Sequence, residues 1–177
     1  MLLCISGSLR RGSHNTQLAQ EAARIYGGPL EMGNLRLPLY DGDQEAADGV
    51  PESASGLAAQ IKAAEAVVIA SPEYNQSFSG VLKNALDWVS REKDPVWRDK
   101  PVAITSATAG RAGGARGTYA LRLAMTPFRA HVLPGPEVLV AACGRAFDAD
   151  GRLTEESYTK ALTELMDQLR AAAERLR

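Results

Sequence analysis

Apolar residues fall into two alternating patterns along the chain. Leu2 to Ser6, Ala66 to Ala70, Pro101 to Thr105 and Val138 to Ala142 are short continuous apolar runs bounded by Gly, Pro or polar residues. Such runs suit strands buried on both faces of a parallel sheet. Leu30 to Met32 is a weaker run of the same kind. Between the runs the spacing changes to three or four. Leu18, Ala22 and Ile25 share one helical face, as do Leu57, Ile61 and Ala64 within residues 51–64. Leu82, Leu86 and Val89 do so within residues 79–91, and residues 113–125 follow a glycine-rich stretch as another helix. From Thr154 to the end, Tyr158, Ala161, Leu162, Leu165 and Leu169 form one stripe. Asn15 is expected to cap the first helix and Gly27-Gly28 to end it. The segment around Leu37 to Tyr40 reads as irregular.

Five strands alternating with helices predict an α/β fold of three layers, a parallel sheet covered by helices on both faces. No repeat, linker or low-complexity tract interrupts the 177 residues, so a single domain spanning 1–177 is expected. At this length the common doubly wound strand order is 2-1-3-4-5. Its switch point lies between strands one and three, and ligands bind there, outside the carboxyl ends of the strands. The loops starting at Gly7 and Ser71 should therefore line a site, with the loop from Ser106 beside them.

Composition narrows the function classes. Hydrophobic residues make up 45% of the chain, enough for a substantial core, and a net charge of −1 lacks the basic excess of a nucleic-acid binder. Cys4 and Cys143 sit in apolar runs and read as buried thiols of a reducing compartment. His14 and His131 have no ligand-like neighbours at short spacing, so no metal site is expected. The apolar start, Met1 to Ile5, is too short for a signal peptide or a membrane span, which makes a cytoplasmic location the expectation.

The three loops carry the candidate chemistry. The first, Gly7 to Thr16, leads from a strand into a helix N-terminus. Unpaired N–H groups and the helix dipole favour an anion there. Ser8, Ser13, Asn15 and Thr16 add neutral donors, and Arg10 or Arg11 adds a charged one. The glycine spacing, with no Lys after Gly12, fits neither the P-loop nor the dinucleotide fingerprint. The second loop, Ser71 to Gly80, offers Pro72, Glu73, Tyr74 and Asn75, an aromatic with polar neighbours suited to a planar heterocycle. The third, Ser106 to Arg116, has small residues that let backbone approach a ligand closely.

Taken together, Gly7-Ser8-Leu9-Arg10, Ser13-His14-Asn15, Pro72-Glu73-Tyr74-Asn75 and the block Gly80 to Arg91 resemble the NADPH-dependent FMN reductase family, relatives of bacterial quinone and chromate reductases. Leu37 to Asp41, the third loop and Phe147 to Leu153 extend the resemblance over most of the chain. It implies a flavodoxin-like fold with bound FMN and NADPH or NADH as co-substrate. It places Ser8, Arg10, Ser13 and Asn15 on the FMN phosphate. Pro72, Glu73, Tyr74 and Asn75 would lie along the ribityl chain and isoalloxazine ring, with Thr108 and Gly110 near the pyrimidine edge and Ser106 at the start of that loop. Thr108 stands where the family pattern has serine, and Ser79 where many relatives have proline. Arg111 and Arg116 are candidates for the nicotinamide cofactor's phosphate. The implied activity is an oxidoreductase passing a hydride from NAD(P)H through FMN to quinones, flavins, azo compounds or oxyanions such as chromate. The implied mechanism is ping-pong and names no catalytic side chain. The resemblance also implies a homodimer or homotetramer.

Two alternatives make different demands. A non-enzymatic FMN carrier of the flavodoxin type is usually strongly acidic and lacks an arginine in its phosphate loop. A low-molecular-weight phosphatase would use Cys4 and Arg10, spaced C-x5-R, which requires Cys4 to sit in a loop whose N–H groups lower its pKa.

Overall fold

A computed structural model describes residues 1–176. Among these, six strands form one parallel sheet: β1 (Leu2–Ser6), β2 (Leu30–Gly33), β3 (Ala66–Ala70), β4 (Pro101–Ala107), β5 (His131–Val132) and β6 (Val138–Val140). The order is β2-β1-β3-β4-β5, with β6 also pairing with β4. The doubly wound order and its switch point between β1 and β3 are as the sequence implies. The fifth position differs in detail. It is shared by two short strands, β5 against Pro101–Val102 at the start of β4 and β6 against Thr105–Ala107 at its end. Pro134 and Pro136 lie between them. Proline has no N–H to give the ladder, so the strand breaks there.

Alternation along the strands splits the core. Leu2, Cys4, Ala66, Val68, Ala70 and Ala103 face one layer, where α1 (His14–Tyr26) and α6 (Glu156–Arg175) pack through Leu18, Ala22, Leu162, Leu165 and Leu169. Leu3, Ile5, Val67, Ile69, Val102 and Ile104 face the other, against α3 (Glu52–Ala63), α4 (Gly80–Val89) and α5 (Ala115–Met125). β1, β3 and β4 are buried throughout. This is why they read as unbroken apolar runs rather than alternating ones.

Two local expectations are corrected. The cap of α1 is Ser13, not Asn15: Ser13 Oγ accepts from Thr16 N at 3.2 Å. Asn15 lies inside the first turn, its amide engaged by another strand. A helix absent from the sequence expectation, α2 (Gly42–Asp48), follows the irregular segment. Asp41 caps it, accepting from Asp43 N at 2.9 Å, and Gly49 ends it at φ 80°. None of its residues is buried, so it carries no apolar stripe to betray it.

The block Gly80 to Arg91, on α4 and the turn after it, anchors that irregular segment. Trp88 Nε1 and Asn84 Nδ2 both donate to Pro38 O, at 2.8 and 2.9 Å, while Tyr40 N donates to Asn84 Oδ1 at 2.9 Å. Arg91 Nε and the Tyr40 hydroxyl donate to the Glu45 carboxylate, and the Tyr40 ring meets Trp88 edge-on at 5.0 Å. The arginine holds the Glu45 carboxyl below its ordinary range, with the Tyr40 hydroxyl adding to the effect. Asn84, Trp88 and Arg91 therefore clamp residues 38–45 to α4 and the turn that follows it.

Candidate functional site

The carboxyl ends of β1, β3 and β4 open into a cleft of about 440 Å³, within the roughly 300–1,000 Å³ of small-molecule sites. Ser8, Arg10, Ser13 and Asn15 line it from the first loop, Pro72, Glu73 and Tyr74 from the second, and Thr108 and Gly110 from the third. Nine of the twelve expected residues thus surround one cavity. The other three sit elsewhere. Thr16 turns inward, its hydroxyl donating to Ser6 Oγ at 2.9 Å. Asn75 stands at the exposed tip of the second loop. Ser106 is fully buried behind the wall, and its hydroxyl has no partner among the described residues.

A switch-point cleft needs strand ends whose last polar groups are satisfied without closing the mouth. Asn15 meets that need. Its Nδ2 donates to Ala107 O at 2.8 Å and its Oδ1 accepts from Ala107 N at 2.9 Å, all at 3% exposure. One amide thus ties the first turn of α1 to the end of β4. With Ser13 Oγ holding Thr16 N, the remaining first-turn N–H groups face the cleft end of α1, as helix N-termini leave them. Arg10 lines the same wall and makes no ion pair among the described residues. A helix N-terminus, two hydroxyls and an uncommitted guanidinium form a donor set with no acidic counterpart from the first loop. It suits a phosphate.

The second loop is a tight hairpin. Tyr74 N donates to Ser77 O at 2.8 Å and Ser77 N to Tyr74 O at 3.1 Å, with Asn75 and Gln76 at φ 50° and 65°. Two successive left-handed residues are the mark of a type I′ turn, which Asn tolerates and Gln less so. The turn leaves the Tyr74 ring half exposed at the rim of the cleft.

The third loop is wedged in place by contacts only glycine permits. A Cβ on Gly113 (φ 60°) would lie 2.2 Å from Leu139 O, and one on Gly114 (φ 92°) 2.0 Å from Ser106 Oγ. The loop is therefore seated on β6 and β4 rather than hanging as a free connector.

Residues not named as cofactor contacts from the sequence complete the wall: His14, Ala107, Ala109, Cys143 and Gly144. The His14 ring stacks on Phe147 with centroids 5.9 Å apart. Cys143 and Gly144 follow β6, which extends the carboxyl edge beside β4. The rule that strand-end loops line the site would have found them had it been applied to that strand too. Burial pushes the Cys143 thiol upward, opposed by a backbone hydrogen bond and, less, by the charge of Arg10. Arg111 and Arg116, both on the third loop, are exposed and line no part of this cleft.

A larger cleft of about 700 Å³ lies beside the amino ends of β4 and β5, among residues such as Leu86, Trp97, Leu123 and Phe128. It contains none of the expected donors.

The hydrolytic alternative fails on geometry. Cys4 lies within β1 at 0% exposure, its Sγ donating to Ala19 O at 3.4 Å, and burial pushes its pKa up to about 12. A nucleophilic thiolate needs the opposite environment.

The family model for NADPH-dependent FMN reductases matches residues 1–144. An NAD(P)H-dependent FMN reductase of Pseudomonas aeruginosa is 41% identical over 99% of this chain and 96% of its own length. A quinone reductase of Escherichia coli K12 is 40% identical over 78% of this chain and 76% of its own. Among solved structures, a flavoenzyme NAD(P)H:(acceptor) oxidoreductase from Paracoccus denitrificans superposes with a TM-score of 0.88 at 29% identity, over 98% of this chain and 97% of that one.

Proposed function

Because the chain belongs to the NADPH-dependent FMN reductase family, and is therefore an oxidoreductase using FMN and NAD(P)H, we propose that the switch-point cleft is where FMN is held and where small acceptors are reduced. The observation that carries this reading is the donor set at the start of α1: Ser8, Arg10, Ser13 and the first-turn N–H groups, with no acid of that loop among them.

In this reading Ser8, Arg10, Ser13 and the amides of the first turn hold the phosphate. Pro72, Glu73 and Tyr74 flank the ribityl chain and ring, with Asn75 beyond them at the loop tip, and Thr108 and Gly110 approach the pyrimidine edge. FMN, when bound, supplies the two-electron chemistry, accepting a hydride from NAD(P)H and yielding it to the acceptor. The chain's own part is orientation. Asn15 keeps the first loop fixed on β4, the Tyr74 hairpin borders the open side, and the wedged glycines keep the third loop close. No side chain is asked to move a proton, which leaves the acceptor class broad: quinones, free flavins, azo compounds or oxyanions such as chromate. Arg111 and Arg116, both exposed on the third loop, are the cations offered to a nicotinamide cofactor's phosphate. Among the described residues no helix is long and apolar enough to cross a membrane, and the reading includes a cytoplasmic homodimer or homotetramer.

One open side admits one partner at a time, so steady-state rates with NADPH and a benzoquinone at varied concentrations should give parallel double-reciprocal lines. Intersecting lines would require both substrates in the cleft together and would overturn the single-mouth reading.

A further inference from the structure

Glu73 lines the cleft, but its carboxylate is bonded to a neighbouring helix. Glu73 Oε2 accepts from Gly117 N at 3.0 Å. Gly117 is the third residue of α5, and the residue before that helix, Gly114, has no side chain with which to cap it. An anion on the third N–H of a helix satisfies an orphan donor and complements the dipole. Here the capping group comes from a loop 44 positions away in sequence. The contact is close on both sides. A Cβ on Gly117 would stand 3.2 Å from Ser77 O and 3.3 Å from Glu73 Cα. The backbone of the second loop thus rests directly on the first turn of α5.

We infer that Glu73 is a positioning residue: its carboxylate caps α5 and thereby fixes the second loop against the glycine-rich third loop, so that the two walls of the cleft are held as one unit. This rests on the reading of the cleft as the FMN site and adds to it. Glu73 contributes to flavin affinity through Gly117 and not by a side-chain bond to the flavin. The sequence before α5 fits this role, because Gly113 and Gly114 are needed for their own close approaches and leave no position for a local Ser or Asp cap.

Three variants separate the possibilities: Glu73→Ala, Glu73→Gln and Gly117→Ala. FMN affinity would be measured by quenching of flavin fluorescence on the apoprotein, and amide exchange at Gly117 by NMR on the same apoprotein. Glu73→Ala should speed Gly117 exchange and weaken FMN at least about tenfold, the scale of one hydrogen bond to a charged group. Glu73→Gln keeps an acceptor oxygen and should restore most of both readouts. Gly117→Ala, with Glu73 intact, should weaken FMN by pushing the loops apart. Gly117 exchange unchanged in Glu73→Ala would overturn the capping role. Wild-type FMN affinity in that variant would overturn the link to the cleft. If the wild-type protein takes up no FMN, the reading of the cleft fails, while Gly117 exchange still decides whether Glu73 caps α5.

Discussion

Removing the Asn15 side chain tests the joint on which the cleft depends. In Asn15→Ala both main-chain groups of Ala107 lose their partner, an N–H bonded at 2.9 Å and a C=O at 2.8 Å. Each buried group left unpaired costs about 1–3 kcal/mol. Ala107 borders the cleft, so water reaches part of the vacated space and the lower half of the sum applies, about 2–4 kcal/mol. For a domain of this size that corresponds to a fall of about 4–16 °C in Tm. Urea unfolding of the apoprotein should show a lower midpoint with an unchanged slope. Asn15→Asp sharpens the test. It keeps the acceptor for Ala107 N but sets a carboxylate against Ala107 O. Its stability should therefore match the alanine variant near pH 7 and recover as pH falls, because the protonated carboxyl regains a donor. A loss below about 0.5 kcal/mol in Asn15→Ala, the size of an ordinary surface change, would refute the reasoning.

Other expectations follow from single contacts. Arg10→Ala should weaken FMN by about 10- to 150-fold, the worth of a charge-assisted hydrogen bond, while the apoprotein unfolds at the wild-type urea concentration; equal affinity would remove Arg10 from the phosphate. Gly114→Ala places a Cβ 2.0 Å from Ser106 Oγ at a φ of 92°, so thermal unfolding should drop by several degrees or the variant should fail to accumulate. The Cys4 thiol, raised from 9.0 to about 12 by burial, keeps its proton in the folded state after the unfolded chain has lost it. Stability from this group is full below pH 9 and declines toward pH 12, by up to about 4 kcal/mol at 1.36 kcal/mol per pKa unit. Lys100, lowered by burial, acts in the opposite sense in the alkaline range, so the comparison is wild type against Cys4→Ala in urea at pH 8 and pH 10.5. A wild-type pH profile that parallels the variant's would count against it. Trp88→Phe removes the indole bond to Pro38 O and should speed limited proteolysis between residues 34 and 45, with a stability loss of about 0.5–1.5 kcal/mol.

How far the sequence led depends on what each residue touches. β1, β3 and β4 were legible because burial on both faces leaves an unbroken apolar run, and the site followed from strand order alone. α2 was not, since a helix with no buried residue leaves no periodic trace. Ser13 and Asn15 are both good caps, and local preference could not choose between them. The choice is made by Ala107, a residue 92 positions away that claims the Asn15 amide. The same distance effect hides Glu73, which reads as a ligand beside Tyr74 until α5 is folded against it. The block Gly80 to Arg91 carried the family resemblance, yet Asn84, Trp88 and Arg91 spend their polar atoms on residues 38–45 rather than in the cleft.

The most direct test of the account is the visible spectrum of the protein mixed with FMN and freed of excess by gel filtration, recorded without oxygen before and after NADPH. The account predicts a flavin spectrum that co-elutes with the protein at near one FMN per chain and bleaches on adding NADPH or NADH. Protein that elutes colourless after incubation with FMN, or a bound flavin that neither nicotinamide cofactor bleaches, would contradict it.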